Sequence, residues 1–498
     1  MTLELVPQNR MLIDGEWVGS KSAAVMNVLN PATGELVGTV PKGTVDDAGA
    51  AIDAAYDAYA KWRLKTPRER AKILIEAARM VRSQGERISR LLTLEQGKPL
   101  AESNAEVWRS DGVADILEFY AEMATKIRGS VAISEVDERR AWVQKEAVGV
   151  VGAIIPWNYP AVEFALKAAP ALVSGNTVVM KPASTTPLAD LELARLMVEA
   201  GMPKGVLNVV TGPGAVVGDE IARNPKVSKV TFTGATETGK HVMRLAADTV
   251  KRVTMELGGN DPMIVCEDAD LQMAANGAAF GRFGNCGQNC IAAKRLYVQK
   301  SVFDKFVELF LNRVKRIRVG NGLDPQTTMG PLNNAPQRAD VERLVKDALD
   351  KGAKLLTGGK RPEGPMFEKG YFYAPTALTN LPQNSLIHHE ECFGPALPIC
   401  LIENLQEGIE KANASIYGLG ASIWTTNLSK AMDAIGQLEA GTVWVNACAE
   451  VPINVPYGGM KQSGFGRESG VEGLAAYSEM KTVIIDYGRR SREWYLAP

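Results

Sequence analysis

Cysteine and histidine are scarce in this chain. Six cysteines and three histidines are spread over 498 residues, and no two cysteines form a C-x-x-C pair. A disulfide-stabilised scaffold needs a much higher density of cysteine, and a structural zinc site needs clustered cysteine and histidine ligands. We therefore expect free thiols, a reducing compartment and no metal site.

The chain also lacks a surplus of either charge and a long apolar segment. Its 56 basic and 57 acidic side chains give a formal net charge of -1, which provides no broad cationic surface for nucleic acid or anionic lipid. The N-terminal region has neither the core of a signal peptide nor an apolar span of about twenty residues. The sequence thus predicts a cytoplasmic protein that binds neither nucleic acid nor membrane.

Two blocks of alternating strand and helix patterns are present instead. After helical patterns at 46–63 and 68–82, short β-branched runs closed by glycine or proline predict strands at 148–156, 176–182, 205–212 and 229–234, with helices at 188–200 and 237–247 between them. This order is typical of βαβ units on a doubly wound parallel sheet. A second α/β block follows residue 260, with helical patterns at 304–316 and 339–351 and strands at 397–401 and 442–445. We expect the chemistry to lie in a cleft between the two blocks.

A glycine-containing turn joins a predicted strand to a predicted helix. In the segment from Gly234 to Lys240 (GATETGK), glycines allow close approach of a ligand and the helix N-terminus favours a phosphate. The spacing also resembles a Walker A motif, but His241 stands where that motif needs Ser or Thr for Mg²⁺. A dinucleotide phosphate site, an NTPase and a plain turn remain open on this motif alone.

Several polar side chains follow predicted strands and suggest a reactive crevice. Cys290 lies in an amide-rich turn (FGNCGQNC), an environment able to favour a thiolate or a developing oxyanion, although a buried inert thiol is the alternative. Glu256 precedes a Gly-Gly turn in apolar surroundings, which raise a carboxyl pKa as a general base requires; a paired structural glutamate is the alternative. Asn158, Lys181 and Ser184 also follow strands, and strand ends of a doubly wound sheet converge on one crevice.

Taken together, these motifs identify a family. IIPWNYP, KPAS, FTGATETG, MELGGN, FGNCGQNC, EECFGP and PYGGMKQSGFGRE occur in this order over nearly the whole chain, which resembles the hydrolytic, NAD(P)-dependent branch of the aldehyde dehydrogenase superfamily. The resemblance implies that Cys290 attacks the aldehyde carbonyl, that Glu256 activates the water that hydrolyses the thioester, and that Asn158 contributes to the oxyanion hole. Retention of Glu256 implies hydrolysis to the free acid rather than transfer to coenzyme A.

The same resemblance implies the architecture and the assembly. We expect a Rossmann-like cofactor domain formed by residues 1–124 and 147–257, an α/β catalytic domain formed by residues 258–457, and a small β oligomerisation element formed by residues 125–146 and 475–498. A homodimer or homotetramer is the implied assembly.

For the cofactor, the resemblance implies contacts from residues on several strand ends and turns: Ile155, Trp157, Lys181, Ser184, Gly214, Gly234, Ala235, Gly239, Leu257, Glu391 and Phe393. Many NAD-preferring relatives carry a glutamate at the position of Ser184, where it repels a 2′-phosphate. Because Ser184 is neutral and lies near Lys181, we expect NADP to be accepted as well as NAD. Ala235 replaces a serine that is common in the family and removes one hydrogen bond to the pyrophosphate.

The substrate prediction rests on residues expected in the pocket, which are Glu163, Leu166, Asn289, Ile291 and Glu450. Succinic semialdehyde dehydrogenases of the family hold the distal carboxylate with arginines, and Leu166 and Gly284 occupy those positions here. Glu163 and Glu450 favour hydroxyl or ammonium groups and repel anions if they face the pocket. We expect a small uncharged or polar (hydroxy- or amino-) aldehyde. A semialdehyde dehydrogenase of the succinic semialdehyde type and a catalytically inactive dinucleotide-binding scaffold remain the alternatives.

Overall fold

The computed structural model describes residues 9–109 and 111–488. Its strands are β1 (Met11–Ile13), β2 (Glu16–Val18), β3 (Val25–Leu29), β4 (Leu36–Pro41), β5 (Ser130–Ala132), β6 (Arg139–Ala147), β7 (Val150–Ile154), β8 (Thr177–Lys181), β9 (Leu207–Val209), β10 (Val227–Thr233), β11 (Arg252–Glu256), β12 (Pro262–Val265), β13 (Arg295–Gln299), β14 (Lys354–Thr357), β15 (Thr376–Thr379), β16 (Ala396–Ile402), β17 (Tyr417–Gly418), β18 (Gly420–Trp424), β19 (Thr442–Val445), β20 (Met460–Lys461), β21 (Gly464–Phe465) and β22 (Ser478–Asp486).

The α-helices alternate with these strands along most of the chain. They are α1 (Val45–Trp62), α2 (Pro67–Gln96), α3 (Leu100–Val107), α4 (Val113–Met123), α5 (Pro160–Val173), α6 (Leu188–Glu199), α7 (Asp219–Arg223), α8 (Thr236–Ala247), α9 (Leu271–Phe283), α10 (Phe303–Val314), α11 (Ala335–Asp350), α12 (Leu405–Asn413), α13 (Leu428–Gln437) and α14 (Gly470–Ala475). None of the described helices is both long and apolar enough to cross a bilayer.

The first sheet is doubly wound, as the sequence predicts. Its strand order is β2-β1-β9-β8-β7-β10-β11-β21, and the five strands from β9 to β11 are parallel. Neighbouring residues of one strand enter different apolar cores: Val178 packs with α2, α5 and α6, and Val179 packs with α1, α7 and α8. The chain runs outward from β7 on one side and from β10 on the other, so the crevice of the sheet opens at the carboxyl ends of these two strands.

A second, mostly parallel sheet carries the reactive turn. Its order is β14-β15-β16-β13-β12-β18-β19, with only β14 antiparallel to its neighbour among the described strands. The turn with Cys290 connects α9 to β13, the central strand of this sheet. The chain then returns to the first sheet, where β21 pairs with β11 and places Gly464 opposite Glu256.

A third sheet contains β22, β6 and β5 in antiparallel order. The two segments that the sequence assigns to the oligomerisation element, 125–146 and 475–498, both contribute strands to it, and residues 489–498 lie outside the described residues. The domain boundaries themselves stay predictions.

One helix is much longer than its sequence pattern indicates. The pattern predicts a helix at 68–82, but α2 continues to Gln96. Gly85 does not interrupt it, because this glycine lets the Trp108 ring pack so closely that an added Cβ would lie 2.3 Å from Trp108 Cγ. Thr66 caps the N-terminus through a capping box, and Gly97 ends the helix at φ 102°.

We expect Trp62→Ala to lower the free energy of unfolding by about 3–5 kcal/mol. The Trp62 side chain is 2% exposed, and its Nε1–H donates to the Leu172 carbonyl at the end of α5 over 3.2 Å. Leu64→Ala is the control, because Leu64 is 76% exposed and surface changes cost within about 0.5 kcal/mol. Chemical denaturation followed by circular dichroism measures both, and equal values for the two variants would contradict this packing role.

Candidate active site

A cavity of about 880 Å³ lies where the first sheet faces the second. Twelve of the residues predicted from the sequence line it: Trp157, Asn158, Glu163, Leu166, Gly234, Ala235, Leu257, Asn289, Cys290, Ile291, Glu391 and Phe393. They come from the ends of β7, β10 and β11, from α5, from the turn before β13 and from the loop before β16. The cavity therefore brings together the predicted catalytic cysteine and most of the predicted cofactor and substrate contacts.

The turn before Cys290 has an unfavourable backbone conformation. Asn285 and Cys286 adopt φ values of 46° and 56°, in the left-handed region, where a non-glycine residue costs about 1–3 kcal/mol. Hydrogen bonds hold the turn in this shape: the Asn285 N–H donates to Glu102 at 2.8 Å, and the Gln96 amide donates to the Asn285 side-chain oxygen at 3.0 Å. Residues from α2 and α3 thus fix the turn that carries the thiol.

The same network positions Asn158. The Asn158 carbonyl accepts from Lys98 Nζ at 2.8 Å and from Asn285 Nδ2 at 2.9 Å. Its side-chain amide donates to the Gln288 carbonyl at 3.2 Å. Asn158 is therefore fastened to the turn before Cys290 at both its backbone and its side chain.

The Cys290 thiol lines the cavity and has one close polar neighbour that the sequence analysis missed. Its Sγ lies 3.2 Å from the Tyr457 hydroxyl and 3.7 Å from Asn289 Oδ1. Burial raises the pKa of Cys290 to about 12, and the Tyr457 hydrogen bond and the Lys294 charge lower it only in part. The expectation that this turn favours a thiolate or a developing oxyanion stays a prediction.

Glu256 lies at the end of β11 and is followed in the chain by Leu257 and Gly258, which line the cavity. Its side chain is 2% exposed, and neither carboxylate oxygen has a hydrogen-bond donor among residues 9–109 and 111–488. Burial raises its pKa well above the ordinary value, and the negative charge of Glu468 raises it further. The direction agrees with the expectation for a general base.

A buried ion cluster, missed in the sequence, lies beside these groups. Lys167 Nζ contacts a carboxylate oxygen of Glu163 at 2.9 Å, one of Glu468 at 2.6 Å, and Thr233 Oγ1 at 2.7 Å. Burial lowers the pKa of Lys167, but the two carboxylates outweigh burial and raise it overall. Lys167 therefore stays charged. Its spacing four residues after Glu163 on α5 is the sequence signal for the first of these pairs.

The predicted adenosine side of the cofactor site includes Lys181 and Ser184 at the end of β8, which do not line the cavity, and the N-terminus of α8 after β10, where Ala235 does. Lys181 is 5% exposed and donates only to the Pro182 carbonyl among the described residues, and burial lowers its pKa to about 8. Ser184 Oγ donates to the Gly212 carbonyl at 3.1 Å. The N-terminus of α8 at Ala235 has no side-chain cap. A buried ammonium with unused donors and an uncapped helix N-terminus fit a phosphate-bearing dinucleotide.

The remaining predicted cofactor residues shape the nicotinamide side and its walls. Trp157 and Phe393 stack edge to face with ring centroids 5.5 Å apart. Glu391 accepts from the Gly259 N–H at 3.1 Å and pairs with Lys294 at 3.0 Å, and a side chain at Gly258 would collide with it.

Four predicted cofactor residues act through the backbone or through packing. Ile155 is buried and its N–H donates to the Lys181 carbonyl. Gly239 lets Leu257 pack against α8, because a Cβ there would lie 2.4 Å from Leu257 Cδ2. Gly214 is exposed, with open space around it.

The structure corrects one substrate-pocket residue and weakens one alternative. Glu450 is exposed and does not line the cavity; only its carbonyl is engaged, by Trp444 Nε1, because the loop turns its side chain to solvent. Lys240, the lysine of the near-Walker segment, is paired with Glu237 at 2.7 Å on the helix surface. The described residues contain no group of three or more side chains able to hold a metal ion.

Known proteins of one family are similar to this chain over nearly its whole length. The sequence pattern of the aldehyde dehydrogenase family matches residues 17–483. A betaine aldehyde dehydrogenase of Bacillus subtilis (strain 168) is 42% identical over 97% of this chain and 99% of its own length. The NADP(+)-dependent succinate-semialdehyde dehydrogenase of Escherichia coli (strain K12) is 41% identical over 96% and 98%. The structure of a betaine aldehyde dehydrogenase from Staphylococcus aureus in complex with NAD+ superposes with a TM-score of 0.96 at 38% identity, over 99% of this chain and 97% of that one.

We expect Tyr457→Phe to slow the alkylation of Cys290 at a given pH and to move its pH profile to higher pH. The Tyr457 hydrogen bond lowers the pKa of Cys290, so its loss raises that pKa and reduces the reactive thiolate. Iodoacetamide labelling at a series of pH values, read by mass spectrometry at Cys290, measures the shift. Tyr56→Phe, a change on the exposed side of α1, is the control. A profile that does not move would mean that this hydroxyl does not support the thiolate.

Proposed function

The chain belongs to the aldehyde dehydrogenase family, and from this premise we propose that it oxidises a small aldehyde to the carboxylic acid with NAD or NADP. The observation that carries the proposal is the Cys290 thiol, which faces a cavity lined by Leu257, the residue that follows Glu256 in the chain; the buried Glu256 carboxylate has no hydrogen-bond partner among the described residues. A catalytically inactive scaffold has no need for an accessible thiol beside a carboxylate of raised pKa.

In the proposed reaction, Cys290 attacks the aldehyde carbon and forms a thiohemiacetal. The carbonyl oxygen that becomes negative is stabilised by the Cys290 backbone N–H and the Asn158 side-chain amide, which the network around the turn holds in place. When bound, the nicotinamide accepts the hydride that leaves the substrate carbon. Tyr457 donates to the sulfur while it is ionised, and this stabilises the attacking thiolate.

Glu256 acts in the second half of the reaction. Because its carboxylate has no hydrogen-bond donor among the described residues, it is free to turn toward the cavity at Leu257 and Gly258. Its raised pKa makes it a better proton acceptor than an exposed glutamate. There it removes a proton from water, the resulting hydroxide attacks the Cys290 thioester, and the acid and the free thiol are released.

NADP is proposed as an accepted cofactor alongside NAD. Lys181 offers an ammonium with unused donors, and the neutral Ser184 lies three residues further on. A bound 2′-phosphate would give the Lys181 ammonium a negatively charged partner, and it would meet no carboxylate at residue 184. The NADP(+)-dependent E. coli relative is consistent with this proposal.

A semialdehyde carrying a carboxylate is the less favoured substrate. The cavity lining contains no lysine, arginine or histidine from the described residues. Leu166 and Gly284, the positions predicted for carboxylate-binding arginines, both line the cavity without offering a charge. The relatives at 41–42% identity act on betaine aldehyde and on succinate semialdehyde, so identity alone does not decide between these classes.

A homodimer or homotetramer is proposed through the three-stranded sheet. Val131 and Ile133 on one side of it and Met480 and Ile484 on β22 are between 63% and 100% exposed. In the strand register, Val131 faces one side of this sheet and Met480 and Ile484 face the other. Large exposed apolar side chains on both faces of so small a sheet favour an interface. The cytoplasmic location expected from composition stays a prediction.

We expect Cys290→Ala to abolish turnover and Glu256→Gln to stop the reaction at the thioester. The Gln variant should form about one equivalent of reduced cofactor per site rapidly and then turn over about 10²–10⁴-fold more slowly, because the general base is lost. Stopped-flow absorbance of the reduced cofactor measures burst and steady state. Glu450→Gln, which removes an exposed carboxylate outside the cavity, is the control. Normal steady-state turnover of Glu256→Gln would remove Glu256 from the mechanism.

We expect Ser184→Glu to shift the preference between NADP and NAD at least about tenfold toward NAD, because the new carboxylate repels a 2′-phosphate. Ser184→Gln has nearly the same size without the charge and separates repulsion from steric exclusion. The ratio of kcat/KM for the two cofactors is the measurement. If Glu and Gln change this ratio equally, the argument from charge fails.

A further inference from the structure

The side chains that line the cavity carry charge of one sign. Five carboxylates contribute to the lining: Glu102, Glu106, Asp111, Glu163 and Glu391. No cationic side chain among the described residues lines the cavity. A ligand group with a negative charge would meet repulsion here, whereas a hydrogen-bond donor would find acceptors. The surroundings of the five carboxylates determine which of them can face the substrate.

Four of the five have other surroundings or tasks. Glu106 pairs with the buried Lys98 and accepts from the first N–H groups of α5. Glu102 accepts from the backbone of the turn before the reactive cysteine, and Glu391 accepts from the Gly259 N–H. Asp111 is exposed. Glu106 and Glu102 therefore stabilise the fold, Glu391 belongs to the predicted cofactor side, and Asp111 lies at the surface.

Glu163 differs in its position and in its charge balance. It projects from the first turn of α5, one helical turn before Leu166, and both residues line the cavity. Its side chain is 12% exposed and lies 2.9 Å from Lys167 Nζ. That ammonium is also bound by Glu468 at 2.6 Å. Burial raises the pKa of Glu163, and the Lys167 charge lowers it only in part. Glu163 is the member of this trio that reaches the cavity.

The charge of Glu163 also acts on the reacting groups. It adds to the factors that raise the pKa of Cys290 and the pKa of Glu256, after burial in both cases. Glu163 and Leu166 line the same cavity as Cys290 and Ile291.

Building on the proposed aldehyde oxidation, we propose that Glu163 determines specificity by accepting a hydrogen bond from a hydroxyl or ammonium group on the carbon chain of the substrate. The preferred substrates are then hydroxyaldehydes and aminoaldehydes. Leu166 and Val162, on the same helix, and Ile291, next to the reactive cysteine, offer apolar surface to the methylene groups of such a chain. Lys167 holds the carboxylate from behind.

Three aldehydes of equal size test this inference, because they differ only at the end of the chain: butanal (methyl), 3-hydroxypropanal (hydroxyl) and 3-aminopropanal (ammonium). Wild-type kcat/KM should be about tenfold or more higher for the hydroxyl and ammonium compounds than for butanal, as expected for a hydrogen bond to a charged acceptor. Glu163→Gln keeps an acceptor oxygen without the charge and should lose mainly the ammonium preference. Glu163→Met should lose both preferences and retain butanal oxidation. Glu450→Gln, an exposed carboxylate outside the lining, should change neither.

The possible results distinguish a failure of the Glu163 role from a failure of the proposed aldehyde oxidation. If all three aldehydes lose kcat/KM equally in the Glu163 variants, Glu163 is only a structural partner of Lys167 and the inference is wrong. If the wild-type protein does not distinguish the three, the inference is wrong while aldehyde oxidation stands. If wild type oxidises none of them or any other simple aldehyde, the proposed function itself fails.

Inhibition of the wild-type protein by small alcohols tests the same role of Glu163 without requiring that a variant fold. Propane-1,3-diol and 3-aminopropan-1-ol carry the same end groups without a reactive carbonyl, and butan-1-ol is their apolar counterpart. We expect the first two to inhibit butanal oxidation competitively with inhibition constants about tenfold or more below that of butan-1-ol. Equal inhibition constants for the three alcohols would overturn the role of Glu163.

Discussion

The attachment of Asn158 to the strained turn before Cys290 is the constraint on which the site depends. Two successive non-glycine residues of that turn are left-handed, and the turn keeps this shape because Asn285 bonds to the carbonyl of Asn158 and to partners on α2 and α3. The first sheet supplies Asn158 and the second sheet follows the turn, so these few hydrogen bonds also hold the two halves of the active site at a fixed distance. The thiol and the amide that would stabilise the same oxyanion are therefore positioned as one unit.

The buried charged groups near the site share few partners. Lys167 serves two carboxylates at once, and Glu256 nearby has no hydrogen-bond donor in the described part of the chain. A carboxylate without partners in a protein interior is costly unless it is protonated. Its raised pKa is thus a consequence of the fold, and the same cost makes it a strong proton acceptor once it ionises.

Sequence reasoning reached the parts of the site that local motifs encode. The strand ends at Asn158, Lys181, Gly234 and Glu256 were predictable because β-branched runs closed by glycine or proline indicate strands, and such strand ends share one edge of a parallel sheet. Contacts between distant segments were not predictable: Tyr457 lies 167 residues after Cys290 in the chain. Glu450 was expected in the pocket as a second acidic group in the C-terminal loop, but a loop residue can turn away while Ala449 and Val451 line the cavity.

The pairing of β21 with β11 has a consequence for how the enzyme comes into being. The strand that ends in Glu256 is completed by residues near position 464, and Tyr457 and Glu468 lie on either side of these residues in the chain. A nascent chain emerging from the ribosome holds its reactive cysteine early but acquires the surroundings of that cysteine only when synthesis is almost finished. A polypeptide that lacks only the last tenth of the sequence is consequently catalytically inactive. The active site is completed in a single step late in synthesis.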